Sequence, residues 1–232
     1  MSPLSIGITT GIAIGIIFLM RPRRFYIVRH GETLLNASHI KQGAEGRLSE
    51  LGKQQAGKVG TRLALLHIQE IIASPYERTR ETTAIINKHL RVPISYSPLL
   101  VERRNPSEII GKNRDDHTVV RIVDQMDLAY HEDEYRFSDE ENFIDLRDRA
   151  RKCLNLLARQ GAHTTCVITH HVFLKMLLAC MLYRERLHAS DYAKLSFFNM
   201  VDNAGISICE YHPWLRFSRT CGWKVVSFNE TI

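Results

Sequence analysis

Short apolar runs rich in β-branched and aromatic residues alternate with amphipathic stretches along this chain. The run at 26–28 and its flanks predict a strand over 24–29, and similar runs predict strands at 70–73, 164–169, 204–211 and 223–228, with a short one near 94–96. Ala56, Val59, Leu63 and Leu66 recur at helical spacing, as do Phe143, Leu146, Ala150, Leu154 and Leu157. The second of these helices is expected to open at Ser138, with Glu141 as its capping-box partner. An almost wholly apolar stretch at 172–183 predicts a third helix, lying on a sheet. Strands alternating with helices predict an α/β protein, a three-layer α/β/α sandwich with a mostly parallel sheet. The last two strands are separated by a loop, so an antiparallel pair makes that sheet mixed. The acidic clusters at 132–134 and 139–141 read as a solvated face.

Residues 1–20 contain no charged side chain and end at Arg21, Arg23 and Arg24. As a helix, about 20 residues span roughly 30 Å, one hydrocarbon core. There is no basic segment at the start and no small-residue cleavage site before the arginines, which argues against a secretory signal. Residues 1–22 are therefore read as a single-pass membrane anchor preceding a catalytic domain at 23–232. The arginines on its carboxyl side place that domain on the cytoplasmic face. An apolar arm folded onto the domain, or an extension from a misplaced start codon, are the other readings.

Composition narrows the picture further. A chain of 232 residues, 44% hydrophobic, suits one domain with a sizeable core. A formal charge of +6 suits an anionic ligand, nucleic acid or a lipid surface. The chain has no aromatic-interleaved basic stripe and no nucleic-acid motif, so a nucleic-acid partner is not expected. The five cysteines (Cys153, Cys166, Cys180, Cys209 and Cys221) are odd in number and scattered, as for reduced thiols.

Candidate chemistry gathers where strands end. The first strand stops at Arg29-His30, followed by Gly31, which permits a sharp turn or a close approach. Ser74-Pro75-Tyr76-Glu77 after the second strand reads as an N-cap, a first-turn proline and a capping box. This places Arg78 in the first turn of a helix, where anions are favoured. The strand at 164–169 ends at His170-His171. Adjacent histidines point apart, and no carboxylate or cysteine stands at ligand spacing beside them, so a metal pair is not expected. Glu102, in Leu99-Leu100-Val101-Glu102-Arg103, is a candidate acid, with Glu108 a nearby rival.

Arg29-His30-Gly31-Glu32-Thr33, Ser74-Pro75 with Arg78 and Thr83-Ala84, Glu102, and Thr169-His170 follow one another as in the histidine phosphatase superfamily, which includes the phosphoglycerate mutases. The sequence resembles that family over residues 24–228, with Leu48-Ser49-Glu50-Leu51-Gly52 similar to its helix-opening segment. The resemblance implies a phosphohistidine on His30, with Arg29, Arg78 and Asn36 binding the phosphate. It also implies His170 stabilising the transferring group and Glu102 as proton donor. It implies no metal or other cofactor, and a small phosphorylated substrate. The family usually has glycine where this chain has His171, and it places a cap or insertion at 103–137. A phosphomonoesterase is the first expectation; a cofactor-dependent mutase, or a non-catalytic phospho-ligand binding protein, are the alternatives. The mutases carry a longer insertion after the acidic residue, which 103–137 does not resemble.

Overall fold

The computed structural model describes residues 21–129, 132–198, 200–218 and 222–232. The anchor expected at 1–22 falls almost wholly outside them. Among the described residues, no helix is long and apolar enough to cross a membrane.

Strand β1 (Arg23–Arg29) alternates its side chains between two apolar layers, and this alternation builds the domain. Phe25 and Ile27 enter one core with Leu146, Ala150, Leu157, Phe173 and Leu177. Tyr26 and Val28 enter the other with Ala56, Val59, Leu63 and Ile86. Helices therefore cover both faces of one six-stranded sheet, ordered β3-β2-β4-β1-β5-β6. The further strands are β2 (Glu70–Ala73), β3 (Ile94–Tyr96), β4 (Thr164–Thr169), β5 (Ile206–Tyr211) and β6 (Trp223–Glu230). Strands β3, β2, β4 and β1 run parallel, while β5 and β6 are antiparallel to their neighbours, so the sheet is mixed.

The helices are α1 (Leu34–Ala37), α2 (Glu50–Ala64), α3 (Glu77–Leu90), α4 (His117–Leu128), α5 (Phe143–Leu157), α6 (His171–Tyr183) and α7 (Ala189–Phe198). Helix α2 buries Ala56, Val59 and Leu63, and α5 buries Leu146, Ala150, Leu154 and Leu157, the faces their spacing predicts. Segment 103–137 holds α4 and a separate small apolar cluster of Ile109, Val119 and Ile122.

Three expected boundaries are corrected. Helix α5 opens at Asn142, whose side chain accepts from the Asp145 amide, and not at Ser138. Glu141, the expected capping partner, instead forms a two-pronged ion pair with Arg149. Helix α3 starts at Glu77 after Tyr76, which makes no side-chain cap, so Ser74 is not its N-cap. Strand β5 begins at Ile206, because Ala204 takes a left-handed conformation (φ 59°) and ends the extended run.

Candidate active site

Register delivers the site. In the parallel pair β1–β4, Arg29 lies opposite Thr169, so the next residues, His30 and His170, leave the sheet side by side. Their rings stand 5.2 Å apart at 62°. On the other side of β4, Ala73 pairs with Ile168, which brings Ser74 to the same edge. The loop that carries His30 is then fixed from both sides. The Asn203 side chain and the Ala204 amide donate to the His30 carbonyl. Gly31 lies against Gly52 so closely that a Cβ on Gly31 would overlap the Gly52 carbonyl, and one on Gly52 would overlap that of Glu32. Only glycine fits this seam between the loop and α2.

His30 is 4% exposed, and its Nδ1 lies 2.7 Å from the Gly31 carbonyl oxygen. A carbonyl can only accept, so Nδ1 carries the proton and Nε2 keeps its lone pair. Burial, then the charges of Arg78 and Arg29, hold its pKa well below the ordinary value, so the ring is neutral. His170 is fully buried behind the pocket wall. Its Nδ1 accepts from Arg78 Nε at 3.2 Å, and its Nε2 donates to Ser74 Oγ at 2.8 Å. Burial and the Arg78 charge hold it neutral too. In this arrangement His170 orients Arg78 directly, and both its ring nitrogens are engaged.

Arg78 is 2% exposed, and besides His170 its Nη1 donates to the carbonyls of Gly43, Ala44 and Glu45. It thereby fixes the loop that walls the pocket. Arg29 donates to the Val201 carbonyl and keeps a buried Nε without a partner among the described residues. Burial lowers its pKa to about 10, so it stays cationic at neutral pH. Asn36 accepts from the Thr33 amide through Oδ1, which leaves its NH₂ as a donor at the pocket. Glu102 lies at the first turn of α6, with Oε1 accepting from Phe173 (3.0 Å) and Arg103 (2.9 Å), and Oε2 from Val172 (3.2 Å). Glu108 instead binds Ser138 at an exposed position away from the pocket. One cavity of about 290 Å³ is lined by Arg29, His30, Asn36, Arg78 and Glu102 together.

Residues 25–230 match the model of the histidine phosphatase superfamily (branch 1). The chain belongs to that superfamily. A probable phosphoglycerate mutase, GpmB, of Erwinia tasmaniensis is 29% identical over 86% of this chain and 89% of its own length. A broad-specificity phosphatase of Saccharomyces cerevisiae is 37% identical over 34% of this chain and 37% of its own. In fold, the chain is similar to a mycobacterial glucosyl-3-phosphoglycerate phosphatase, with TM-score 0.72, 20% identity, 90% of this chain and 100% of that one covered. This histidine phosphatase superfamily member thus has both phosphatases and mutase-like proteins among its relatives.

Several residues of the pocket escaped the sequence reading. Lys41, Arg103 and Arg114 line the same cavity. Lys41 and Arg114 come from segments far apart in sequence, joined by backbone pairing of residues 39–41 with 111–114. Burial, then the charges of Arg103 and Arg114, lower the Lys41 pKa to about 8. Arg149, on α5, donates to the Leu99 and Val101 carbonyls and so positions the segment bearing Glu102. Arg149 is a positioning residue with no distinguishing local motif.

His171 donates from Nδ1 to the Val201 carbonyl at 3.1 Å, so the imidazole in place of the family's glycine ties α6 to the 200–205 loop. Burial, then Lys175 and Arg29, lower its pKa to about 4. Its folded pKa lies below the unfolded value, so the unfolded chain takes up the extra proton as pH falls from about 6.5 towards 4. Stability present above that window is lost within it, by up to about 1.4 kcal/mol per pH unit for this group. His171→Asn, which keeps an N–H near the Nδ1 position, is expected to flatten the pH dependence of urea unfolding by about that slope between pH ~6 and ~5. An unchanged slope would mean that His171 already protonates freely in the folded protein.

Proposed function

We propose that this protein is a phosphomonoesterase that passes the phosphoryl group through His30. The observation that carries the reading is the His30 Nε2 lone pair, freed by the Nδ1–Gly31 hydrogen bond, at a pocket lined by Arg29 and Arg78. The guanidinium nitrogens not engaged by the described residues, Nη2 of Arg78 and Nε and Nη2 of Arg29, suit phosphate oxygens and the charge that spreads over them in the transition state. Nε2 attacks phosphorus, and the N–P bond forms as the ester P–O bond breaks. Glu102 gives its proton to the leaving oxygen. Water then attacks phosphorus, the N–P bond breaks, and Glu102 takes the water proton. Oε1 of Glu102 is occupied by two amides and Oε2 by one longer bond, so Oε2 is the oxygen that handles the proton. His170 acts through Arg78.

The mutase reading draws support from the GpmB relatives, which are so named, and shares every step except the acceptor. Hydrolysis of a panel of phosphorylated metabolites, with 3-phosphoglycerate and 2,3-bisphosphoglycerate included, tests the proposal. Phosphate release is expected; isomerisation of 3-phosphoglycerate without release would replace the phosphatase with a mutase. We also retain the placement of residues 1–20 as a single-pass anchor with the catalytic domain facing the cytoplasm.

Lys41 and Arg114 add positive charge beyond what one phosphate takes up from Arg29 and Arg78, with Glu102 the one carboxylate among the described residues lining the cavity. This favours esters bearing a carboxylate or a second phosphate. Lys41→Ala and Arg114→Ala are each expected to raise KM for such substrates by roughly tenfold, the effect of one lost charged contact. KM for p-nitrophenyl phosphate, which has no second anion, should stay within about threefold. Equal effects on both substrates would assign the two cations to the phosphate itself.

A further inference from the structure

The edge of the sheet opposite the pocket carries a second concentration of arginines. Strand β1 enters the domain there, and the ends of α5 and α6 and the loop between β5 and β6 meet there. A cavity of about 400 Å³ is lined by Arg151, Arg159, Arg184 and Arg216, with Glu185 its one carboxylate. Glu185 pairs with Arg151 at 3.2 Å, and Asp148 lies beside the same arginine. That leaves three cations over, and the Nε atoms of Arg151 and Arg184 are buried without a hydrogen-bond partner among the described residues. Arg23 reaches the Ala158 carbonyl at the cavity wall. None of these groups takes part in the chemistry at the other edge.

Large apolar side chains stand exposed around this cavity. Phe217 is 86% exposed, Trp214 44% and Leu215 37%, all beside Arg216 in sequence. The Arg216 guanidinium stacks on the Phe217 ring, 4.4 Å from its centre, so cation and aromatic project together. Such a pairing suits the boundary of an acidic bilayer. Arginines meet lipid phosphates there, and Trp and Phe settle among the headgroups. Arg21, which follows the uncharged residues 1–20 in sequence, stands two residues before β1 enters the domain at this edge.

We propose that this edge docks on an acidic phospholipid membrane, with the four-arginine cavity holding a phosphoryl headgroup and Trp214, Leu215 and Phe217 in the interface. The catalytic pocket then faces away from the lipid, open to soluble substrate. This holds whether or not the pocket is a phosphatase site.

The test uses the chain from Arg21 onward, to separate this surface from residues 1–20. Both apolar cores lie within it, and the similar mycobacterial structure is matched over its whole length by this fold. Sedimentation is measured with vesicles of phosphatidylcholine alone and with added phosphatidylserine. Binding is expected with phosphatidylserine only, and is expected to fall at high salt. Arg159→Ala/Arg216→Ala should lower partitioning roughly 20- to 30-fold, the loss of two surface arginines, with an unchanged thermal melt. In a Trp223→Phe background, brominated lipid should quench the remaining indole of Trp214. Equal binding to both vesicles, or no loss in the double variant, would overturn the proposal. Displacement by soluble glycerophosphoserine at the same headgroup concentration would reassign the cavity to a free anion and overturn it as well.

Discussion

Replacing His30 by alanine is expected to remove the phosphoenzyme and to lower turnover by roughly 10,000-fold or more, as deletion of a covalent nucleophile does. A labelled phosphodonor followed by rapid quench is expected to give the wild-type protein an adduct that is labile in acid and stable in base, the behaviour of a phosphoramidate. The variant gives none. The effect is large because the attacking nitrogen is lost outright, and the rival at the pocket is His171, whose Nε2 also keeps its lone pair. The neighbouring His170 has both ring nitrogens engaged, by Arg78 and Ser74. His171 points its Nδ1 at the Val201 carbonyl. Normal labelling of His30→Ala, lost instead in His171→Ala, would move the nucleophile by one strand. The pocket itself should persist, because Arg78 keeps its hold on the 43–45 carbonyls without His30.

Glu102→Gln separates leaving groups. Alkyl phosphates depart as strongly basic alkoxides and need the proton, so their hydrolysis falls roughly 100- to 10,000-fold. Nitrophenolate leaves without help, so the burst that reports phosphoryl transfer from p-nitrophenyl phosphate loses much less. The steady state should still slow for both if the same carboxylate activates water in the second step. Glutamine can keep its oxygen on the Phe173 and Arg103 amides, while its NH₂ meets the Val172 amide and forfeits one bond. A burst slowed equally for both substrates would make Glu102 a cap of α6 and nothing more. Glu108→Gln, at a carboxylate held by Ser138 outside the pocket, should leave both rates alone.

Periodicity made the layers of this fold legible, and motif spacing made the reacting groups legible. The faces of α2 and α5, and the arrival of His30 and His170 at strand ends, follow from local pattern. The sheet order does not: β4 lies between β1 and β2, a pairing between residues about 100 or more positions apart that no short window can express. Two caps were misread because side chains had better partners elsewhere. Ser74 matched a capping box, yet its hydroxyl lies against His170. Glu141 matched another, yet Arg149 holds it. Lys41 and Arg114 gave no signal at all, since what makes them pocket residues is a backbone pairing between a loop and an insertion.

That pairing couples the pocket's contents to its closure. The amides of Lys41, Gly111 and Arg114 latch the two segments, with N···O distances of 2.8–2.9 Å, while the side chains of Lys41 and Arg114 put like charges on the two sides of the latch. In the empty pocket this mutual repulsion works against the closed form. A bound dianion neutralises it and adds attraction on both sides, so the ligand binds the latched form more tightly than the open one. By the same linkage, loss of an anionic ligand weakens the latch. Anion binding and the strength of the 39–41/111–114 pairing are therefore two views of one equilibrium.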